Sequence, residues 1–406
     1  MSEQIPVVAS HHQWQLPMVA RRDDEEHRTP TALELFFDLC FVVAVAQAAD
    51  GLHHAVSADH VGAGVRGFVL VFFAVWWAWM NFTWFASAYD TDDIAYRLTT
   101  FVQISGALIF AAGVPRAMEH RDFAVVTLGY VVMRLAMVTQ WLRAARSDRS
   151  HRASSLRFAA GVTVVQLGWV ARLALPEPWG TVAFGLLVVA ELAVPVYAER
   201  AAGTSWHPHH IAERYGLFTL IVLGESVFAA TTAIQRALDD DVAFADVAVV
   251  AAGGILTVFA MWWLYFAKDA ARLLTSNRRG FVWGYGHYFV FGSAAAVGAG
   301  LQVNVDHATG ATGIGATVAA ATVTVPVAVF LLAMWALHWI PLRAGGWNRV
   351  AAPACAAAVL LATFGPEPVL VTGLLAAVMV AIGIVAVRRG VRSATGAAVP
   401  VEAGAP

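Results

Sequence analysis

Twelve apolar segments, most of them long enough to cross a bilayer, run through this chain of 406 residues. A spanning helix takes about 20 mostly apolar residues. The segments are 32–51, 65–88, 97–115, 122–143, 154–174, 179–198, 210–234, 244–267, 281–304, 314–340, 349–364 and 367–388. Composition agrees: 59% of residues are hydrophobic and 13% charged, against roughly 45–50% and 25% in soluble domains. The expected fold is all-α, a polytopic membrane protein with about twelve transmembrane helices, and its first partner is the lipid bilayer.

Basic residues orient the spans. With the N-terminus on the cytoplasmic side, 20 of the 26 Lys and Arg residues fall on the inside. Four face outward (Arg66, Arg116, Arg121, Arg236), and Arg134 and Arg172 lie within spans. This follows the positive-inside rule and predicts two cytoplasmic termini. The opening 1–28 reads as a polar cytoplasmic tail without a cleaved signal peptide, and 393–406 as a disordered tail. A net charge of −2 gives no basic surface for nucleic acid. Cys40 and Cys355 both sit in apolar segments and read as packing residues.

The halves resemble one another. Phe-Ala-x-Trp-Trp occurs at 73–77 and 259–263, Pro-Glu-Pro at 176–178 and 366–368, and the segment after Glu34 aligns with that after Glu213. Two six-helix membrane repeats are expected, 29–200 and 201–392. Six is an even number, so the repeats are parallel. Polar sites in such proteins gather where buried groups need not face lipid.

A charged group at membrane depth costs about 2.5–3.5 kcal/mol on insertion scales, so each needs an account. Glu34 and Asp38, four residues apart, share one helix face. Thr31-x-x-Glu34 also fits a capping box. Glu225 lies near the middle of its span, where no cap explains a carboxylate. Glu191 is a second deep carboxylate, and Arg134 a deep cation able to pair with either. Glu213 and Arg214 open the seventh span beside His209 and His210, whose spacing from Glu213 makes them weak metal candidates. No metal or other cofactor is otherwise expected. Asn81 and His287 read as polar contacts between helices. The acidic Tyr89-Asp90-Thr91-Asp92-Asp93 run reads as a solvated cytoplasmic loop.

Three runs together resemble the bacterial low-temperature-requirement A family. They are Thr-Pro-Thr-Ala-Leu-Glu-Leu-Phe-Phe-Asp-Leu at 29–39, Trp-Trp through Tyr-Arg-Leu at 76–98, and His-His-Ile-Ala-Glu-Arg-Tyr-Gly-Leu through Gly-Glu-Ser at 209–226. The resemblance implies a multi-pass protein of the bacterial inner membrane and highlights Glu34, Asp38, Glu213, Arg214 and Glu225. The family's name records growth in the cold and supplies no substrate. No nucleophile–base motif, phosphate loop or haem-attachment motif accompanies these runs, so an enzyme is not expected. The expected function is transport of a small ion or solute, or an ion pathway, along Asp38, Glu225, Glu191, Glu213 and Glu34. The alternatives are a non-transporting stress-response scaffold or sensor, and a membrane-embedded metal-dependent enzyme.

Overall fold

A computed structural model describes residues 13–21, 28–239, 244–341 and 346–396. Most of the expected polar tail and of the expected disordered tail therefore lies outside the described residues. Among those described there are helices and no strands. The α-helices are α1 Ala32–Ser57, α2 Val61–Tyr89, α3 Ile94–Glu119, α4 Ala124–Ser147, α5 Arg152–Arg172, α6 Trp179–Ala202, α7 Pro208–Asp239, α8 Phe244–Phe266, α9 Asn277–Ala308, α10 Ala316–Met334, α11 Gly346–Ala362 and α12 Pro368–Gly396. Each overlaps one predicted segment. Ten are long and apolar enough to cross a membrane. The two others are α5, which begins and ends on Arg, and the short α11.

Helix starts follow local chemistry. The Thr31 hydroxyl accepts from the Glu34 amide while the Glu34 carboxylate accepts from the Thr31 amide, a complete capping box. Asp93 caps α3 by accepting from the Tyr96 amide at 2.8 Å, and Ser276 caps α9. Pro208 and Pro368 open α7 and α12, where a missing N–H costs nothing. The first Pro-Glu-Pro turn thus stands directly before α6, and the second runs into α12 with Pro368 as its first residue.

Two compact units emerge. The first holds residues up to Glu225 together with Ala270–Thr275. In it α3 packs on α1 and α4, α4 on α5, and α5 on α6. A side chain at Gly106 could not fit between α3 and α4, because its Cβ would lie 2.9 Å from the Gly129 carbonyl. Residues 13–21 are fastened to this unit by backbone bonds from Ile94 to Gln13 and from Ala95 to Trp14, and from Arg21 to Ala88. The unit takes in the start of α7, which bonds to α1 and α2 through His210, Arg214 and Tyr215.

The second unit holds Ser226–Asp269 and the residues from Ser276 onward. Here α8 packs on α12, α9 on α10, and α11 on α10 and α12. Gly253 of α8 and Gly373 of α12 bring two backbones together, a Cβ at Gly373 falling 2.5 Å from the Gly253 carbonyl. Asn304 ties α9 to α10 by donating to the Ala319 carbonyl at 2.8 Å.

Candidate functional site

The first unit contains a buried charge cluster assembled from α1, α2 and α7. Glu34 and Asp38 stack on one face of α1, and both are fully buried. Arg214, one turn after His210 on α7, is fully buried between them. Its Nε donates to Asp38 Oδ2 at 2.8 Å and its Nη2 to Asp38 Oδ1 at 2.5 Å, a two-point grip. Its Nη1 lies 3.1 Å from Glu34 Oε1. The Trp79 indole donates to Asp38 Oδ1 at 2.7 Å, and Thr83 stands 3.3 Å from Arg214 Nη2. His210 Nε2 meets Glu34 Oε1 at 3.1 Å. Arg28 completes the set, 3.7 Å from Glu34 and 3.8 Å from Asp90, while it donates to the carbonyls of Ala86 and Ser87. Arg214 thus faces both Glu34 and Asp38, and Arg28 faces Glu34 and Asp90, while Trp79 packs on the rings of Tyr215 and Phe218. Paired charge of this kind is tolerated in a low-dielectric interior because every carboxylate has a cation.

A second cluster surrounds Glu191 of α6. Trp77 donates to its Oε2 at 2.7 Å, Trp169 to its Oε1 at 3.1 Å, and Tyr130 to Oε1 at 3.4 Å. Arg134 lies 3.4 Å from Oε2 and donates to the Tyr130 hydroxyl. Of the two partners open to Arg134 in the sequence, the fold selects Glu191. The two Phe-Ala-x-Trp-Trp copies differ here. Trp76 and Trp77 are buried, whereas Trp262 and Trp263 are about half exposed, at 44% and 46%.

The other residues fall into place unevenly. His209 is exposed while its neighbour His210 is buried against Glu34, so the two histidines do not converge on Glu213, which is itself exposed. Successive helical residues point about 100° apart, which separates them. The Asn81 amide donates to the carbonyl of Trp77, in its own helix, at 2.8 Å. His287 does join helices: Tyr265 of α8 lies 3.1 Å from its Nε2, while its Nδ1 faces the Trp283 carbonyl. Nearby, His338 accepts from the Trp283 indole at 3.3 Å, in a wide π-helical turn at Trp335–Trp339. Glu225 is half-buried, with Asp50 the acidic group that it feels, and no hydrogen bond or ion pair reaches its carboxylate among the described residues.

The acidic loop is not solvated as expected. Asp93 is buried and paired with Arg143, and it also accepts from the Leu16 amide at 2.8 Å. Asp92 is held by Arg97 at 2.7 and 3.0 Å. Asp90 is buried beside Arg28. Those arginines are distant in sequence or hidden in helix ends, so charge order alone does not reveal them. Arg28, Trp169 and Tyr130 are likewise site residues that the sequence does not single out, while Trp77 and Trp79 stand in it only as part of a longer run. Their signal is general: a buried indole or phenol needs an acceptor, and deep carboxylates supply one.

Burial pushes the Asp90 carboxyl up to about 7, and the negative charge of Glu34 adds to this against the pull of Arg28. The folded value lies above the unfolded one of about 3.9. The folded state then binds the extra proton between these values, so this contribution is full at low pH and is lost as pH rises through 7. Thermal unfolding in detergent is expected to occur at higher temperature at pH 5 than at pH 8, with Asp90→Asn flattening the difference. An unchanged pH slope in that variant would exclude Asp90 as its source.

Residues 29–385 match the model of the family described as bacterial low temperature requirement A protein (LtrA). The chain belongs to this family. The matched stretch includes Glu34, Asp38, Trp79, Asp90, Glu191, His210, Arg214 and Glu225, with Arg28 directly before it. An uncharacterized protein, RA0937 of Rhizobium meliloti (strain 1021), is 26% identical over 309 residues, covering 71% of this chain and 72% of the relative. No solved structure matches. Family membership and ten membrane-length apolar helices make this LtrA chain a multi-pass membrane protein.

Proposed function

We propose that this LtrA-family chain is a secondary transporter or ion pathway for a small ion or solute, in which Glu225 is the carboxylate that exchanges protons or cations. One observation carries the reading. Glu34, Asp38 and Glu191 are each locked to an arginine, whereas Glu225 is half-buried near the middle of α7 with no such partner among the described residues. An intramembrane carboxylate held without a fixed counter-charge is suited to reversible loading. In this reading the Arg214 cluster is a rigid anchor that sets the position of α7, and Glu225 lies three turns further along the same helix.

The same reading takes all twelve helices as spans, in two parallel six-helix repeats, with both termini cytoplasmic in a bacterial inner membrane. The paired Pro-Glu-Pro helix starts and the distribution of arginine support it. Protein reconstituted in liposomes is expected to carry a pH-dependent flux that falls at least tenfold in Glu225→Gln. Equal flux in the variant would remove Glu225 from the pathway. No flux in either, with cold growth fully restored by the variant, would favour a scaffold or sensor.

A further inference from the structure

The far end of α1 carries a second grouping of chemistry that the Arg214 cluster does not use. Asp50, His53 and His54 stand at i, i+3 and i+4, on one face of the helix. The group begins 16 residues beyond Glu34, at Asp50, roughly 24 Å along the helix axis. His54 Nε2 is 3.3 Å from Asp50 Oδ2, and His53 Nδ1 is 4.0 Å from Asp50 Oδ1. One donor atom from each of the three falls within 4.8 Å of the others.

We propose that Asp50, His53 and His54 form a binding site for a zinc-type divalent cation. Zinc holds imidazole nitrogen and carboxylate oxygen at about 2.0–2.2 Å, which sets its donors about 3–4 Å apart. Small rotations of two side chains reach that spacing from the present one. Asp50 and His54 are free to make them, at 50% and 61% exposed, while His53 is held at 7% and fixes one corner. Two imidazoles and one carboxylate suit zinc, nickel or cobalt, and are a poor set for magnesium or calcium, which take oxygen donors. Three protein donors leave positions open to water, as in exchangeable rather than closed structural sites. This site uses neither of the arginine-bound carboxylate clusters, and its occupation does not depend on transport.

The test is calorimetric titration of the purified, untagged full chain with zinc, compared with magnesium. About one zinc per chain is expected in the micromolar range or tighter, with no magnesium uptake under the same conditions. His54→Ala and Asp50→Asn are each expected to weaken zinc binding at least tenfold. His54 is exposed, so its replacement leaves packing intact, and an unchanged elution profile and melting temperature verify this. A His209→Ala control should bind zinc as the native chain does. Zinc binding that persists unchanged in both His54→Ala and Asp50→Asn, or is lost only in His209→Ala, would overturn the site. Loss of flux in Glu225→Gln with zinc binding retained would separate the two proposals.

Discussion

Replacing Arg214 with Leu is expected to cost roughly 3–5 kcal/mol of stability, the usual cost of leaving a buried charge without its partner. Arg214 is fully buried, and it grips Asp38 at two points while also facing Glu34. Its removal leaves Asp38 with only the Trp79 indole among the described residues, and leaves Glu34 with His210 and Arg28. Thermal unfolding in detergent, followed by tryptophan fluorescence, should show the loss. Arg214→Lys should be intermediate, since an ammonium cannot reproduce the planar two-point grip. Combining Arg214→Leu with Asp38→Asn should recover much of the loss, because the carboxylate stranded by the first change is then gone. A combined variant as unstable as Arg214→Leu would mean that shape, not charge, makes the site.

The second large effect is expected at Arg134. Arg134→Met removes the only guanidinium placed against Glu191 among the described residues, while leaving Trp77, Trp169 and Tyr130 to donate. Three neutral donors soften the loss, so roughly 2–4 kcal/mol is expected, somewhat less than at Arg214. Adding Glu191→Gln should restore most of it. The same melting measurement reads this cycle. Additive losses from Arg134→Met and Glu191→Gln would show that the two side chains are not coupled.

Much of the architecture is legible because it depends on local composition. A run of apolar residues long enough to span has few alternatives to a helix, and all twelve predicted segments carry one. The importance of Glu34, Asp38, Glu191 and Arg214 is legible for a related reason: charge in an apolar run demands compensation. The compensation itself is not legible. Asp38 and Arg214 are 176 positions apart, and only the packing of α7 on α1 joins them. Arg134 has two acidic candidates, and the α4–α5–α6 arrangement brings it to Glu191. His209 and His210 are equivalent in the sequence, yet rotation about the helix exposes one and buries the other. Asp93 reads as an exposed loop acid until Arg143 and the backbone of Leu16 are brought onto it.

The most direct measurement is pH-titrated infrared difference spectroscopy of the full chain in liposomes, in an Asp90→Asn background that removes the loop carboxyl. Across neutral pH, where exposed carboxylates stay ionised, a carboxyl stretching band that changes with pH should be present in this background and absent once Glu225→Gln is added. The arginine-bound Asp38 should contribute nothing to it, so Asp38→Asn should leave the band in place. A band that survives Glu225→Gln and vanishes with Asp38→Asn would place the exchanging proton in the Arg214 cluster, contradicting the assignment of that cluster as anchor and Glu225 as exchange site.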